Sequence, residues 1–397
     1  MKLSSRRACA LAACTLLAAC TNSHFTPPSS QPLFAADAQA TSSPANGATG
    51  LPANGATGMP AGDFLACNLH DTPGQVDCTI AINLNVAPNG NPTTPASLLP
   101  GLHPADLQTA YAMPSSNSAG TVAIVDAYDD PTAEADLAVY RTAFGLPACS
   151  SSSGCFRRVN EYGETNSYPL PNTQWQEEMS LDMDMVSAIC PNCKIVLVEA
   201  NSPSIADLGT AVDTAASLGA VAVSNSYYAK EWKNERTQDV HYKHSGVAIV
   251  VSSGDQPGAF YPASSLSVTT VGGTSLSLSG GTRSESAWGP AGQGCSIFEP
   301  KPAFQPNTGC KTRSSVDMAA VADPQTGVTI WDAAAGGWLE AGGTSVGAPL
   351  VAAAYALSHN PRGPAYSYSH TSGFYDIPPA GYDLATGLGS PEGVAGL

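Results

Sequence analysis

Short apolar runs alternate with longer mixed stretches from about residue 103 to the C-terminus. The runs are rich in Val, Ile and Ala, as is typical of parallel strands buried on both faces, and they lie at residues 121–126, 194–199, 220–224, 247–252 and 268–272. Helices are predicted at residues 133–144, 174–189 and 205–217. Strands separated by helices predict βαβ units, and therefore an α/β fold with a parallel β-sheet and helices on both faces. In such sheets, functional residues gather at the carboxyl ends of the strands.

The most continuous apolar run, residues 350–357, follows the sequence Gly342-Gly343-Thr344-Ser345. This pattern predicts a buried helix with Ser345 in its first turn. The unpaired N–H groups and the positive dipole end of a helix can stabilise an oxyanion, so Ser345 is a candidate nucleophile. The alternative is a serine that only caps a core helix. The rest of the chain must therefore supply a base and an oxyanion partner.

Residues 1–20 have the features of an export signal. Basic residues precede an apolar stretch over 8–19, which is too short to anchor stably across a bilayer. The stretch ends in Leu-Ala-Ala-Cys, which resembles a bacterial lipobox, so we expect lipidation of Cys20 and membrane attachment. The alternative is an ordinary secretory signal with an incidental cysteine. Both alternatives predict an extracytoplasmic protein, either an outer-membrane or cell-surface lipoprotein or a secreted one.

The segment between this signal and the α/β region has a different composition. Residues 21–63 are rich in Pro, Ser, Ala, Asn and Gly and contain Pro-Ala-Asn-Gly-Ala-Thr-Gly twice. Such a sequence cannot bury a core, so we predict a disordered tether. Residues 64–101 are predicted to form a small disulfide-containing segment and a linker, with a strand-like run over 78–86. The α/β domain is predicted to occupy residues 102–397.

The cysteines agree with export. Of 11 cysteines, Cys9, Cys14 and Cys20 belong to the signal or to its lipid site. The others fall in close pairs, and an oxidising compartment makes local disulfides the expected outcome: Cys67/Cys78, Cys149/Cys155, Cys190/Cys193 and Cys295/Cys310. Cys190-Pro-Asn-Cys193 is alternatively a redox or zinc motif, but no second Cys pair or His cluster accompanies it at metal-binding spacing.

The charge balance narrows the range of partners. Only 12% of the residues are charged, and the formal net charge is −16. An acidic surface of this kind disfavours nucleic acids and anionic membrane surfaces as partners.

The predicted helix over 174–189 carries Glu178 and Asp182 four residues apart, which places both carboxyl groups on one face. Two such groups in a buried place cannot both ionise cheaply, so one pKa must rise and a proton is shared. The alternative is a solvated acidic face, because Glu177 and Asp184 are also present. The Met and Leu residues between the acids favour burial.

A third carboxyl group, Asp255, follows the strand predicted at 247–252. A protonated carboxyl there could donate a hydrogen bond to an oxyanion, whereas the alternative is a turn-forming Gly-Asp pair. None of the seven histidines lies in a His-Gly-Thr-His context, so the usual base of a subtilisin-like hydrolase is missing. Asp126 ends the first strand without an evident partner and is interpreted as structural.

In combination, these motifs resemble the sedolisin family, the serine-carboxyl peptidases on a subtilisin-like fold. The resemblance runs from about residue 102 to the C-terminus. It rests on four motifs in order: Glu178-Met-Ser-Leu-Asp182; Ser253-Gly254-Asp255; Tyr261-Pro-Ala-Ser-Ser265 with Val271-Gly-Gly-Thr274; and Gly343-Thr-Ser345 with Pro349.

The resemblance implies a role for each site residue. Ser345 would be the nucleophile, Glu178 its general base and acid, Asp182 the partner that orients Glu178, and Asp255 the acid of the oxyanion hole. A carboxylate base and a protonated carboxylic acid coexist only at acidic pH. We therefore expect an endopeptidase with an acidic optimum that acts on proteins or peptides as a monomer.

The family also holds one calcium ion near its C-terminus through two Asp side chains and backbone carbonyls. By position, the ligands would be Asp376, Ile377, Gly381 and Asp383, an all-oxygen set that suits a hard cation. The loop between the two acids is shorter here than in the family and contains two prolines.

The segment before the α/β domain also departs from the family, which usually carries a large folded propeptide. Either residues 64–101 are a reduced pro-region, or the enzyme is not made as a conventional zymogen. A competing prediction is a catalytically silent surface lipoprotein that binds peptides or partners with the same fold. Another serine hydrolase, such as an esterase, is disfavoured because its histidine and its Gly-x-Ser-x-Gly elbow are missing.

Overall fold

The strands and helices follow the hydrophobic pattern of the sequence closely. The computed structural model describes residues 62–67, 70–115, 120–305, 307–359 and 362–397. Its strands are β1 (Asp63–Leu65), β2 (Asp77–Cys78), β3 (Ala81–Asn83), β4 (Thr121–Ala127), β5 (Phe156–Asn160), β6 (Lys194–Ala200), β7 (Ala222–Asn225), β8 (Tyr227–Lys230), β9 (Ala248–Ser252), β10 (Phe260–Tyr261), β11 (Thr269–Ser279), β12 (Thr282–Ala287), β13 (Cys295–Pro300), β14 (Thr312–Ser314), β15 (Met318–Val321), β16 (Val328–Asp332), β17 (Gly337–Gly342), β18 (Phe374–Tyr375) and β19 (Ser390–Pro391). Its α-helices are α1 (Pro104–Ala110), α2 (Ala133–Ala143), α3 (Thr173–Ile189), α4 (Ile205–Ser217), α5 (Gly347–Ser358) and α6 (Pro364–Ser367).

A mostly parallel sheet forms the centre of the fold. Its strand order is β12-β11-β9-β7-β4-β6-β5, and β15 also pairs with β11. Only β12 runs antiparallel to its neighbour. The inner strands β4, β6, β7 and β9 are buried almost throughout. Because both faces of such strands are covered, their sequences are continuous apolar runs rather than alternating apolar and polar residues. The predicted parallel sheet is confirmed.

The helices cover the sheet as the sequence predicts. On one side, α3 and α5 pack against each other and against the strands, while α4 packs against β4, β6 and β7. Helix α3 begins after Asn172, whose side chain accepts hydrogen bonds from the first-turn N–H groups of Gln174 and Trp175. Helix α5 is buried from Gly347 to Leu357, as expected for a helix with no polar face. None of the helices in the described ranges is long and apolar enough to cross a bilayer.

The four predicted cysteine pairs are disulfides in the structure: Cys67–Cys78, Cys149–Cys155, Cys190–Cys193 and Cys295–Cys310. A buried disulfide between Cys190 and Cys193 is what the structural interpretation of that motif predicts. Among the described residues, no group of three or more His, Cys, Asp or Glu side chains is arranged to hold a metal ion.

Residues 64–101 are built into the same set of sheets as the domain that follows them, although the sequence suggested a separate segment. Strand β3 pairs with β17 through Ala81 and Ile82, and β2 pairs with β8 through Asp77 and Cys78. The strand-like run expected over 78–86 is interrupted between β2 and β3. The export signal, the lipobox and nearly all of the predicted tether lie outside the described residues.

Candidate active site

Ser345 lies in the tight turn that joins β17 to helix α5. Gly343 has a φ of +90°, which glycine adopts without strain. A Cβ on Gly343 would lie 2.0 Å from the carbonyl oxygen of Thr79, and one on Gly342 would lie 2.4 Å from the carbonyl oxygen of Ala322. The Gly-Gly pair is therefore required by the close approach of other backbone to this turn, which delivers a fully buried Ser345 hydroxyl.

Glu178 and Asp182 lie on the buried side of α3, directly beneath this turn, and both are fully buried. Ser226 donates its hydroxyl to Asp182 at 2.8 and 3.0 Å from the two carboxylate oxygens. Burial raises the pKa of Glu178 well above its ordinary value, and the neighbouring Asp182 and Asp126 raise it further. Burial also raises the pKa of Asp182. The two carboxyl groups are thus buried, as the Met and Leu residues between them predict, and the solvated acidic face is not what the structure shows.

The Ser345 hydroxyl lies near the carboxyl of Glu178. Oxygen Oε2 of Glu178 accepts a hydrogen bond from the backbone N–H of Thr79 at 2.8 Å. Oxygen Oε1 is buried without a hydrogen-bond partner among the described residues. The Ser345 hydroxyl is not within bonding distance of Oε1, but it is near enough to lower the pKa of this carboxyl. Glu178 is therefore a buried carboxyl whose pKa is sensitive to the Ser345 hydroxyl.

Asp126 interacts electrostatically with the candidate site, whereas the sequence suggested only a structural role for it. It is the penultimate residue of β4, it is fully buried, and neither of its carboxylate oxygens has a hydrogen-bond partner in the described part of the chain. Burial raises its pKa well above the ordinary value, and its charge raises the pKa values of Glu178 and Asp182. The sequence signal for this electrostatic interaction was the position of Asp126 near the carboxyl end of a central strand, where functional residues gather.

Asp255 follows the carboxyl end of β9 and faces the same turn. Its oxygen Oδ1 accepts hydrogen bonds from the backbone N–H and the hydroxyl of Thr344, both at 2.8 Å. Its oxygen Oδ2 is buried without a partner and would lie 2.6 Å from a Cβ on Gly343. Burial raises the pKa of Asp255 to about 7, against the opposing effect of the two Thr344 bonds. Below that pH, Oδ2 can carry a proton toward the space in front of Ser345.

Thr79 is the residue that sequence reasoning missed. Its hydroxyl lies 2.6 Å from Ser345 Oγ and donates to Ser252 at 2.9 Å. Its carbonyl oxygen accepts a hydrogen bond from the backbone N–H of Ser345 at 3.2 Å. Only its position beside Cys78 set it apart in the sequence, and the segment was assigned to a separate part of the chain.

Histidine takes no part in the contacts of Ser345 within the described ranges. His241 and His244 both contact Asp213, and His70 contacts Asp77.

The predicted calcium ligands share one loop near the C-terminus, and their oxygen chemistry suits a hard cation. In the structure, Asp383 already accepts hydrogen bonds from the N–H groups of Ala385 and Thr386 and from the Thr386 hydroxyl. Asp376 accepts one from the N–H of Gly381 at 2.9 Å. An ion held by Asp376, Asp383 and the carbonyls of Ile377 and Gly381 would tie this loop together. Calcium binding stays a prediction, and the chemistry proposed below does not use it.

The chain is similar in sequence to kumamolisin of Bacillus sp. (strain MN-32). The two are 27% identical over 354 residues, which cover 73% of this chain and 62% of kumamolisin. The match thus spans less than two thirds of the relative's own length. No protein-family profile matches the chain.

Two solved structures share the fold. Pseudomonas sedolisin, a serine-carboxyl proteinase solved with pseudo-iodotyrostatin, has a TM-score of 0.64 and 24% identity, and the match covers 74% of this chain and 96% of that one. The epidermin leader peptide processing serine protease of Staphylococcus aureus has a TM-score of 0.50 and 14% identity, with 78% and 82% covered. The subtilisin-like α/β fold implied by the motifs is thereby confirmed. The sequence similarity to kumamolisin and the fold shared with Pseudomonas sedolisin both agree with the resemblance to the sedolisin family that the motifs indicate.

Proposed function

We propose that this chain is a serine-carboxyl endopeptidase that hydrolyses peptide bonds of proteins or peptides at acidic pH. The observation that carries the proposal is the setting of Ser345. Its hydroxyl lies near the buried carboxyl of Glu178, and the buried carboxyl of Asp255 is bonded to the adjacent Thr344. Burial raises the pKa of both carboxyl groups, which suits a site that must exchange protons below neutral pH.

The proposed reaction follows from these contacts. Ser345 Oγ attacks the carbonyl carbon of the substrate as its proton passes to Glu178, while Asp182 shares a proton with Glu178 and holds its orientation. The backbone N–H of Ser345 and the protonated Asp255 donate hydrogen bonds to the oxyanion. Glu178 then returns the proton to the leaving amine, and water hydrolyses the ester on Ser345 by the same steps in reverse.

The pH dependence of this mechanism has a definite direction. Asp255 must be protonated to donate to the oxyanion, and its pKa is about 7. As the pH rises through that value, the donor becomes a negative charge that repels the oxyanion. We therefore expect the rate to be highest in acid and to fall toward neutrality.

The test is hydrolysis of a mixed peptide library from pH 3 to pH 8 by the wild type and by Ser345→Ala. We expect acid-dependent cleavage that is abolished in Ser345→Ala, together with the loss of labelling by a peptide aldehyde. The matched control is Ser284→Ala, because Ser284 is exposed on β12, far from the site in the sheet order. Cleavage that persists in Ser345→Ala, or a maximum above neutral pH, would rule out this mechanism.

A catalytically silent protein that binds peptides remains the alternative function. One observation favours it: the chain's own Thr79 already occupies the space in front of Ser345. This alternative predicts peptide binding without turnover. A peptide that is bound but recovered intact after prolonged incubation at pH 4 would support it.

Export and lipid attachment at Cys20 belong to the same proposal. The four disulfides support it, because such bonds persist in oxidising compartments. The test is detergent-phase partitioning of the wild type and of Cys20→Ser, with Cys14→Ser as the control. We expect only Cys20→Ser to move to the aqueous phase.

A further inference from the structure

Two loops of the candidate site are joined by the side chain of Thr344. This residue lies in the turn between β17 and α5, directly before Ser345, and it is fully buried. Its hydroxyl accepts a hydrogen bond from the backbone N–H of Gly254 at 3.1 Å and donates one to Oδ1 of Asp255 at 2.8 Å. The hydroxyl therefore connects the turn of the candidate nucleophile to the loop that carries the oxyanion acid.

The bond from Gly254 fixes the direction of the Thr344 hydroxyl. A hydroxyl group has one proton to donate and two lone pairs that accept. Because the N–H of Gly254 only donates, the hydroxyl must accept there, and its own proton is directed at Oδ1 of Asp255. Gly254 is itself held in place, since its φ of +99° suits glycine and its carbonyl oxygen accepts a hydrogen bond from the N–H of Gly292 at 2.7 Å.

Oxygen Oδ1 of Asp255 consequently receives two hydrogen bonds from one residue. The first comes from the hydroxyl of Thr344 and the second from its backbone N–H, both at 2.8 Å. In a protonated carboxyl group, one oxygen carries the proton and donates, while the other oxygen only accepts. The oxygen that already faces two donors is therefore the accepting one, and the proton must lie on Oδ2.

Oxygen Oδ2 of Asp255 faces the turn that delivers Ser345. It is buried and has no hydrogen-bond partner in the described part of the chain, and it would lie 2.6 Å from a Cβ on Gly343. A proton on Oδ2 can therefore be donated to an oxyanion that forms in front of Ser345. A proton on Oδ1 would instead point at the donors of Thr344, and it would be lost to the reaction.

We propose that Thr344 is a positioning residue, whose hydroxyl and backbone N–H keep the proton of Asp255 on Oδ2 and aim it at the oxyanion. This inference rests on the proposed peptidase function and adds a residue to its oxyanion hole. Without the hydroxyl, Oδ1 keeps a single donor, and the carboxyl group can turn or carry its proton on either oxygen. A share of the molecules then presents the oxyanion with an oxygen that has no proton to donate.

The same hydrogen bonds affect the acidity of Asp255. Donors to a carboxyl oxygen stabilise the ionised form, so the two bonds from Thr344 lower the pKa that burial raises to about 7. Tyr228 on β8 also interacts with Asp255, but burial raises the pKa of its phenol, so this group stays neutral. Removal of the Thr344 hydroxyl should therefore raise the pKa of Asp255 as well as weaken its positioning. A general loss of packing would not produce this combination.

The first measurement does not depend on peptidase activity. NMR follows the carboxyl carbon of Asp255 from pH 4 to pH 9 in the full-length Ser345→Ala chain labelled with ¹³C-aspartate, and Asp255→Asn in the same background assigns the signal. We expect the titration to move to higher pH in Thr344→Val/Ser345→Ala. It should stay in place in Thr344→Ser/Ser345→Ala, because serine keeps the hydroxyl. An unchanged titration in the valine variant would overturn the proposal.

Hydrolysis of an added peptide measures the consequence for the reaction. We expect Thr344→Val to lower kcat about tenfold, the effect of one neutral hydrogen bond, with little change in KM. The basic limb of its rate profile should lie at higher pH, and Thr344→Ser should restore both properties. The matched control is Thr269→Val, which also removes a buried hydroxyl, but one that lies 3.0 Å from the hydroxyl of Tyr355 on α5. It should leave the pH profile unchanged.

The outcomes separate this inference from the proposed function. If Thr344→Val and Thr269→Val lose the same activity and neither shifts the profile, Thr344 is only structural, and the peptidase function stands. If the folded wild type hydrolyses no peptide at any pH, the proposed function fails, and the role of Thr344 in the reaction fails with it. Circular dichroism checks folding, and Thr344→Ala takes the place of Thr344→Val if the valine variant does not fold.

Discussion

The backbone N–H of Ser345 donates a hydrogen bond to the carbonyl oxygen of Thr79, a residue 266 positions earlier in the chain, at 3.2 Å. This bond joins the turn that presents the candidate nucleophile to a segment outside the α/β domain predicted from the sequence. It connects the candidate nucleophile with the segment between β2 and β3.

Asp255→Asn tests the role of Asp255 as an oxyanion donor. An amide keeps the hydrogen bond to the oxyanion but does not ionise, so we expect activity in acid with a much weaker fall near pH 7, where Asp255 itself titrates. Asp255→Ala, which loses the donor, should lower kcat by about 10²–10³-fold. The measurement is kcat/KM against pH. An unchanged fall near pH 7 in Asp255→Asn would assign the titration to another group.

Asp126→Asn tests the electrostatic influence of the end of β4 on the carboxyl pair. Asp126 raises the pKa values of Glu178 and Asp182, so its removal should lower them and shift the acid limb of the rate profile to lower pH. Asp213→Asn is the matched control, because Asp213 is half-exposed and contacts His241 and His244. An acid limb that stays in place in Asp126→Asn would contradict the coupling.

The stability of the folded chain should fall as the pH rises from acid to neutral. Burial raises the pKa of Asp255 and of Asp332 to about 7, from an ordinary value of 3.8. Between these values the native state binds more protons than the unfolded state, so the free energy of unfolding decreases with increasing pH. The stability from these groups is complete below about pH 4 and is lost as the pH passes 7.

Thermal unfolding of Ser345→Ala measures this without interference from the proposed peptidase activity. We expect a Tm that is higher at pH 4 than at pH 7. A Tm that is highest near neutrality would show that other groups, such as exposed ion pairs, dominate the balance of protons.

Calcium should raise the Tm by binding at Asp376 and Asp383, if the sequence prediction is right. The rise should be small, because the ion must compete with the hydrogen bonds that Asp383 already accepts. The measurement is a thermal-shift titration with calcium and with a chelator, on the wild type and on Asp383→Asn. A Tm of the wild type that responds to neither reagent would reject the site.

The helix and strand pattern was predictable because each element carries its own signal. Helix α4 begins and ends where the apolar periodicity predicts, and α3 differs from its predicted start by one residue. The spacing of Glu178 and Asp182 on one helix likewise fixed their common face from the sequence alone. The disulfides were predictable for the same reason, because each joins two cysteines that lie close together in the chain.

Contacts between distant segments were not predictable in this way. Asp126 carries no local sign of its neighbours, and its interaction with Glu178 arises only when β4 and α3 pack together. The predicted start of the α/β domain at residue 102 also rested on local composition, which does not show contacts between distant segments. A stretch rich in Pro and Asn, residues 88–95, lies between β3 and the predicted domain along the chain, but the backbone groups of β2 and β3 find their hydrogen-bond partners in β8 and β17.

The sequence by itself therefore determined the parallel α/β pattern and the disulfide pairs, and it named the serine and carboxyl residues of the candidate site. These follow from periodicity, from spacing within a single element and from the order of short motifs. Only the tertiary structure decided that Thr79 lies against Ser345 and that Asp126 stands beside the carboxyl pair. The physical reason is that burial and hydrogen bonding across hundreds of residues depend on how the elements pack, which no local pattern records.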